Sequence, residues 1–144
     1  MVEYHPDDPF LSKLSKIQAF AMLLYHPIEH YSWVGYAAPG ALHQGSVDGA
    51  MRITCHLWVV WILVEFVSIR HRWAKLSADE ALKEDHKDAL RSDMKWRMAN
   101  MVSDLLLGLH WSCKRGIGLN EPAIAVLGMF GAFVGGYQKW KSMG

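Results

Sequence analysis

The chain's 144 residues suffice for one domain with its own core, and 51% of them are apolar or aromatic, with seven Trp and eight Met. Mean hydropathy sits just above zero, high for a soluble domain and low for a chain made mostly of membrane spans. A formal net charge of +1 supplies no bulk positive field, so nucleic acid is not an expected partner.

The first residues, MVEYHPDDPF, carry acids where a cleaved leader needs a basic and then an apolar run, so no signal peptide is expected. From about Phe10 to Ala38 the pattern is helical, with Asp8 placed to cap it and Pro9 at the first helical position. Phe10, Leu14, Ile17, Ala21 and Leu24 form one apolar stripe, and Pro27 is expected to kink or restart the helix. Ala37 to Gly49 (AAPGALHQGSVDG) reads as a loop by composition.

Ile53 to Ile69 (ITCHLWVVWILVEFVSI) is the most membrane-like stretch, with Glu65 its single charge. As a helix it is about 25 Å long, slightly short of a hydrocarbon core of about 30 Å. Residues 77–113 then read as a charged helix running into an apolar one, its mixed charges at i,i+4 spacing suited to water. A KRGIGLNEP turn precedes a glycine-rich helix over 122–138, for which Pro122 is a good start. The apolar part of that helix, AIAVLGMFGAFVGGY, spans about 22 Å. No period-2 strand pattern occurs, so the predicted fold is all-α: about four apolar helices, crossing or lying in a membrane as a single domain, plus one charged cytosolic helix.

Charge sorting tests the membrane idea separately. If all four stretches cross, one side holds Lys13, Lys16, the eight Lys and Arg from Arg70 to Arg97, Lys139 and Lys141. The other side keeps only Arg52, Lys114 and Arg115, the asymmetry expected across a membrane. Cys55 and Cys113, without any CxxC or Cys/His ladder, read as reduced, buried thiols of a cytosol-facing protein.

Candidate chemistry is sparse. His26-Pro27-Ile28-Glu29-His30 spells H-x-x-E-H, the inverted zinc-protease signature, with Asp104 as a distant carboxylate. Pro27 biases His26 away from helical ψ, which argues against the two imidazoles sharing a face and favours a structural role for Glu29 and His30. Glu65 and His56 lie within the best span on opposite faces, and a channel would use both along a pore. Gly131 and Gly135 form a GxxxG, which Gly128 extends into a small-residue stripe suited to close helix approach in lipid. Asp104, Gly108 and Trp111 share a face, where the Asp anchors helix packing. No P-loop, dinucleotide fingerprint, nucleophile elbow or EF-hand loop occurs, and no cofactor is expected.

Three stretches together resemble a known family. Tyr25-His-Pro-Ile-Glu-His30 with Trp33 resembles the "Y-x-P-x-E-H…W" region of the peroxin-11 family, the peroxisomal membrane elongation and division proteins. DLLLGLHW, Asp104 to Trp111 with His110, resembles that family's "D-L-x-L-A-L-H-W", and LGMFGAFVGGYQKW resembles its glycine-rich ending. The resemblance covers roughly residues 14–140 and implies a non-catalytic peroxisomal membrane protein with cytosolic termini. Such proteins self-associate, elongate the membrane and help recruit dynamin-like fission machinery and its adaptor; some are linked to metabolite passage. On this resemblance Pro27, Glu29, His30, Trp33, Asp104, His110 and Trp111 are structural motif residues, and HPIEH is no protease site. Family members carry a further N-terminal region of membrane-bending amphipathic helices, for which Phe10 to Leu24 would be a shorter interfacial substitute, as in a short paralogue or a trimmed chain. Gly131 and Ala132 replace the family's small hydroxyl residues, keeping close packing but losing hydroxyl bonds.

Overall fold

The computed structural model describes residues 7–141 and 143, without the side chains of 138 and 141. The acidic N-terminal stretch through residue 6 and the Lys141 charge lie outside the described residues. Four helices follow in order: α1 (Pro9–Ala37), α2 (Gln44–Ala78), α3 (Glu84–Ser112) and α4 (Glu121–Lys141).

α1 starts where capping chemistry places it. The Phe10 amide donates to Asp8 Oδ1 at 2.7 Å, and Pro9 opens the first turn. The helix does not restart at Pro27: α1 is one 29-residue helix with the proline inside it. Proline removes the amide that would serve Leu23, but α2 grips α1 on both sides of it, through buried Ala21 below and buried Ser32 and Gly35 above. A Cβ on Gly35 would collide with the Val47 side chain, so only glycine lets the two helices approach this closely.

The boundaries differ from expectation elsewhere too. Only six residues, 38–43, link α1 to α2, and Gln44–Gly49 is helical because buried Val47 and Ala50 pack that end of α2 on α1. α2 also continues past Ile69 to Ala78, where buried Leu76 joins a core with Ile62, Ile69, Leu90, Met94 and Met101. The charged helix therefore begins at Glu84 rather than at residue 77. α4 starts with the Ala123 amide donating to Asn120 Oδ1 at 2.9 Å and runs beyond 138.

Among the described residues, α1 packs only on α2, α2 on α3, and α3 on α4, each pair antiparallel. The result is a chain of helical hairpins in serial order, not a closed bundle. Accessible surface is 9452 Å², against about 7,500 Å² for a compact globular chain of this mass. Large apolar side chains stay uncovered on every helix, among them Leu23 (67% exposed), Leu63 (50%), Val102 (49%) and Phe133 (72%). In α4 only Val134 is buried among the described side chains.

Candidate functional site

The antiparallel pairing fixes which residues share a level. Asp8 meets His71 and Lys75, Gln18 meets Trp61 and Glu65, and Tyr36 meets Asp48. Across the next seam Arg97 meets Glu65, and Trp111 stacks on Trp58 with centroids 6.5 Å apart. Across the last, Ser103 Oγ donates to the Leu127 carbonyl at 2.8 Å, and Trp96 lies against Tyr137. These contacts bring the apolar parts of all four helices side by side at one depth. Among the described residues only α2 is long and apolar enough to cross a membrane by itself, and 28% of its best stretch is buried, whereas a soluble core helix is mostly buried.

Most of the tryptophans and tyrosines lie toward the two ends of this belt, with Trp61 between them. Trp73, Trp96 and Tyr137 mark one end, with Lys95 Nζ 5.9 Å from the Trp73 centroid. Tyr25, Trp33, Tyr36, Trp58 and Trp111 mark the other, where they line a common cleft. Between the girdles, Trp58 and Trp73 are fifteen residues or about 22 Å apart on α2, while Tyr36, level with Asp48, lies about 15 Å farther out than Trp58. Tryptophan and tyrosine concentrate at the two faces of a bilayer because their rings are apolar and their N–H and O–H groups seek water.

Within the belt several polar groups are paired across the seams. Glu65, 2% exposed, accepts from Gln18 Nε2 at 2.8 Å through Oε2. Its Oε1 lies 2.8 Å from Arg97 Nη2, an ion pair without an aligned hydrogen bond. Three helices are thus tied at one point. Glu65 turns inward, to α1 and α3. His56 is exposed on the other face, with Nδ1 2.6 Å from the Arg52 carbonyl, so the two residues of the channel reading line no common path. Asp104 accepts from Asn100 Nδ2 of its own helix at 3.1 Å, and its side chain lies beside Gly131 of α4.

The HPIEH residues lie along exposed and half-buried parts of α1. Glu29 Oε1 accepts from Tyr25 Oη at 2.6 Å, His26 Nδ1 is 3.9 Å from Glu29 Oε2, and His30 Nδ1 is 2.6 Å from the His26 carbonyl. The two imidazoles are 6.5 Å apart, and Asp104 faces α4, two helices away. No group of three or more His, Cys, Asp or Glu able to hold a metal ion occurs among the described residues. His110 instead braces the turn into α4: its ring packs on Gly116, which has φ +65°, and Nδ1 accepts from the Ile117 amide at 3.3 Å.

The glycine stripe divides. Gly131 faces Asn100 and Asp104 of α3, while Gly128 and Gly135 look onto open space. The thiols also divide: Cys55 is buried as expected, but Cys113 is exposed because it follows the last turn of α3. Both line the cleft with Glu29, Trp33 and Trp111. Beyond the belt, Asp8 holds the far ends of α1 and α2 together. His71 Nε2 is 2.8 Å from its Oδ2 and Lys75 Nζ 3.1 Å. These bonds, led by His71, hold the Asp8 carboxyl well below the usual carboxylate range.

Sequence reasoning missed Gln18, Arg97 and the Asp8–His71–Lys75 tie, since each pairing joins residues 32 or more positions apart. Comparison with protein-family models, curated proteins and solved structures gives no match.

Proposed function

We propose that the chain is a non-catalytic integral protein of the peroxisomal membrane that promotes membrane elongation, proliferation and fission by inserting and self-associating. The observation that carries the membrane part is the lateral alignment of four apolar stretches between two aromatic girdles. In water, such a single-layer array would leave an uncovered apolar surface far larger than monomers tolerate. In lipid the same surface needs no cover. Both described ends of the chain and the charged α2–α3 connection share one end of the layer, which supports cytosolic termini and a four-crossing arrangement. The peroxisomal assignment, and the dynamin-like machinery and adaptor as partners, rest on the three motif stretches.

Homo-oligomerisation is proposed through Gly128 and Gly135, which are open, with Gly131 already engaged by α3. The test is alkaline carbonate extraction of cells expressing the tagged chain, with a peroxisomal membrane marker followed in the same fractions. Retention with the marker is expected. Release into the supernatant refutes membrane insertion, and retention with a different organelle's marker refutes the peroxisomal assignment.

A further inference from the structure

At the Trp58 end of the belt, α1, α2 and the C-terminal end of α3 enclose a cleft of about 540 Å³, a volume in the range of small-molecule sites. Its walls are Tyr25, Trp33, Tyr36, Trp58 and Trp111, and its charged groups are Glu29, Asp48, Arg52 and Lys114. The wiring of those charges is unusual. Asp48 and Arg52 are spaced i,i+4 with the acid first, the arrangement that ordinarily pairs on a helix. Asp48 Oδ1 is instead held by Tyr36 Oη at 3.1 Å and Gln44 Nε2 at 2.9 Å. Glu29 is likewise held by the Tyr25 hydroxyl, with His26 Nδ1 3.9 Å from its second oxygen. Among the described residues, neither Arg52 nor Lys114 has a carboxylate within ion-pair distance. Two anions and two cations thus line one aromatic cleft without neutralising each other.

We propose that this cleft binds one zwitterionic phospholipid headgroup of the phosphocholine class, its quaternary ammonium against the aromatic walls near Glu29 and Asp48 and its phosphate toward Arg52 and Lys114. The formal charges of the cleft sum to zero, which matches a zwitterion and leaves an anionic lipid facing two uncompensated carboxylates. Electron-rich ring faces attract a quaternary ammonium, which cannot use a hydrogen-bonding ammonium's alternatives. The girdle position puts the cleft where headgroups lie. A guanidinium and an ammonium are the usual partners of a phosphate.

The inference rests on the membrane reading above, and the experiment separates the two. The full chain is exchanged into vesicles of equal parts phosphatidylcholine, phosphatidylethanolamine and phosphatidylglycerol, extracted in mild detergent, and its retained lipid measured by native mass spectrometry. One phosphatidylcholine per chain is expected, enriched about tenfold over the other two. Arg52→Gln/Lys114→Gln is expected to remove the retained lipid. Trp33→Leu, at a side chain 60% exposed and so unneeded for folding, is expected to erase the preference for choline over ethanolamine. Equal retention of all three lipids by a chain that enters the vesicles overturns the headgroup site and leaves the membrane reading standing. A folded chain that stays out of the vesicles overturns both. Displacement by millimolar free phosphocholine overturns the lipid as the source of the ligand.

Discussion

The Glu65–Arg97 contact makes the most demanding prediction. At 2.8 Å and an effective dielectric of 20, two unit charges attract by about 6 kcal/mol before desolvation. Glu65 is almost wholly enclosed, and Arg97 is 29% exposed, so much of that attraction offsets the cost of taking both groups from water. The net worth of the pair is therefore small, but removing one partner is not. Arg97→Met leaves a carboxylate buried with only the Gln18 amide beside it, at a cost of about 3–5 kcal/mol. For a chain of this size that lowers Tm by roughly 6–20 °C. The assay is a thermal melt in detergent read by a thiol-reactive dye, in a Cys113→Ser background. Cys55 is then the sole cysteine and becomes reactive only when the helices part. Glu65→Leu/Arg97→Met should return to within about 1–2 kcal/mol of the parent, because no lone charge remains. A single Arg97→Met variant that melts with the parent, or a double variant as poor as the sum of its parts, would refute the pairing.

Four further outcomes are expected. Gly135→Leu should weaken self-association while leaving the melt unchanged, since a side chain there meets open space; undiminished crosslinking of the variant would sink that face. Gly35→Ala should destabilise by about 1–3 kcal/mol through its collision with Val47, and Val47→Ala should recover part of the loss, both read by thermal melts. Because the folded Asp8 carboxyl binds its proton less tightly than the unfolded one, its stabilising effect is complete above about pH 4 and fades only at lower pH. The Tm gap between parent and Asp8→Asn should accordingly shrink from pH 5 toward pH 2, and a gap that widens over that interval would contradict the tie to His71 and Lys75. In reconstituted vesicles, self-association measured by energy transfer should rise with acyl-chain length, and independence from bilayer thickness would count against a mismatch effect.

The four helices were legible because each local signal agreed with the global fold. Asp8 and Pro9 mark a start, the RGIG turn with positive φ at Gly116 and Gly118 marks a reversal, and the apolar runs set the centres. The ends of α2 were not legible, because Gln44–Gly49 has a loop's composition and becomes helical only by packing Val47 and Ala50 on α1. Pro27 misled in the same way, since its local cost is outweighed by contacts on either side. At the polar junction, Glu65 was conspicuous as the one acid in an apolar run, but its partners were not. Gln18 sits 47 positions away, and Arg97 is one of many charges in a segment that reads as solvated. The cleft was even less visible. Its motif residues Glu29, Trp33 and Trp111 could be named, but the sequence does not tell that Asp48 turns from Arg52 toward Tyr36.

The dimensions of the layer connect this architecture to the proposed role in shaping membranes. The apolar run of α2, Ile53 to Ile69, is about 25 Å long, slightly shorter than the roughly 30 Å core of an ordinary bilayer. A single short span can hide a mismatch by letting long side chains reach the surface. Here Lys95 on α3, beside the Trp73 ring, is positioned to do so. Four helices tied at fixed register by Asp8, Glu65 and Ser103 cannot each adjust their tilt independently. If the layer spans a membrane as proposed, the bilayer thins around all of it, at a cost of fractions of a kcal/mol for each ångström. Two layers that share an edge also share the thinned lipid between them, so the deformation itself draws copies together. On the proposed reading, self-association and membrane deformation become one coupled equilibrium, in which the open glycines of α4 would set the geometry of contact and the short belt would supply the drive.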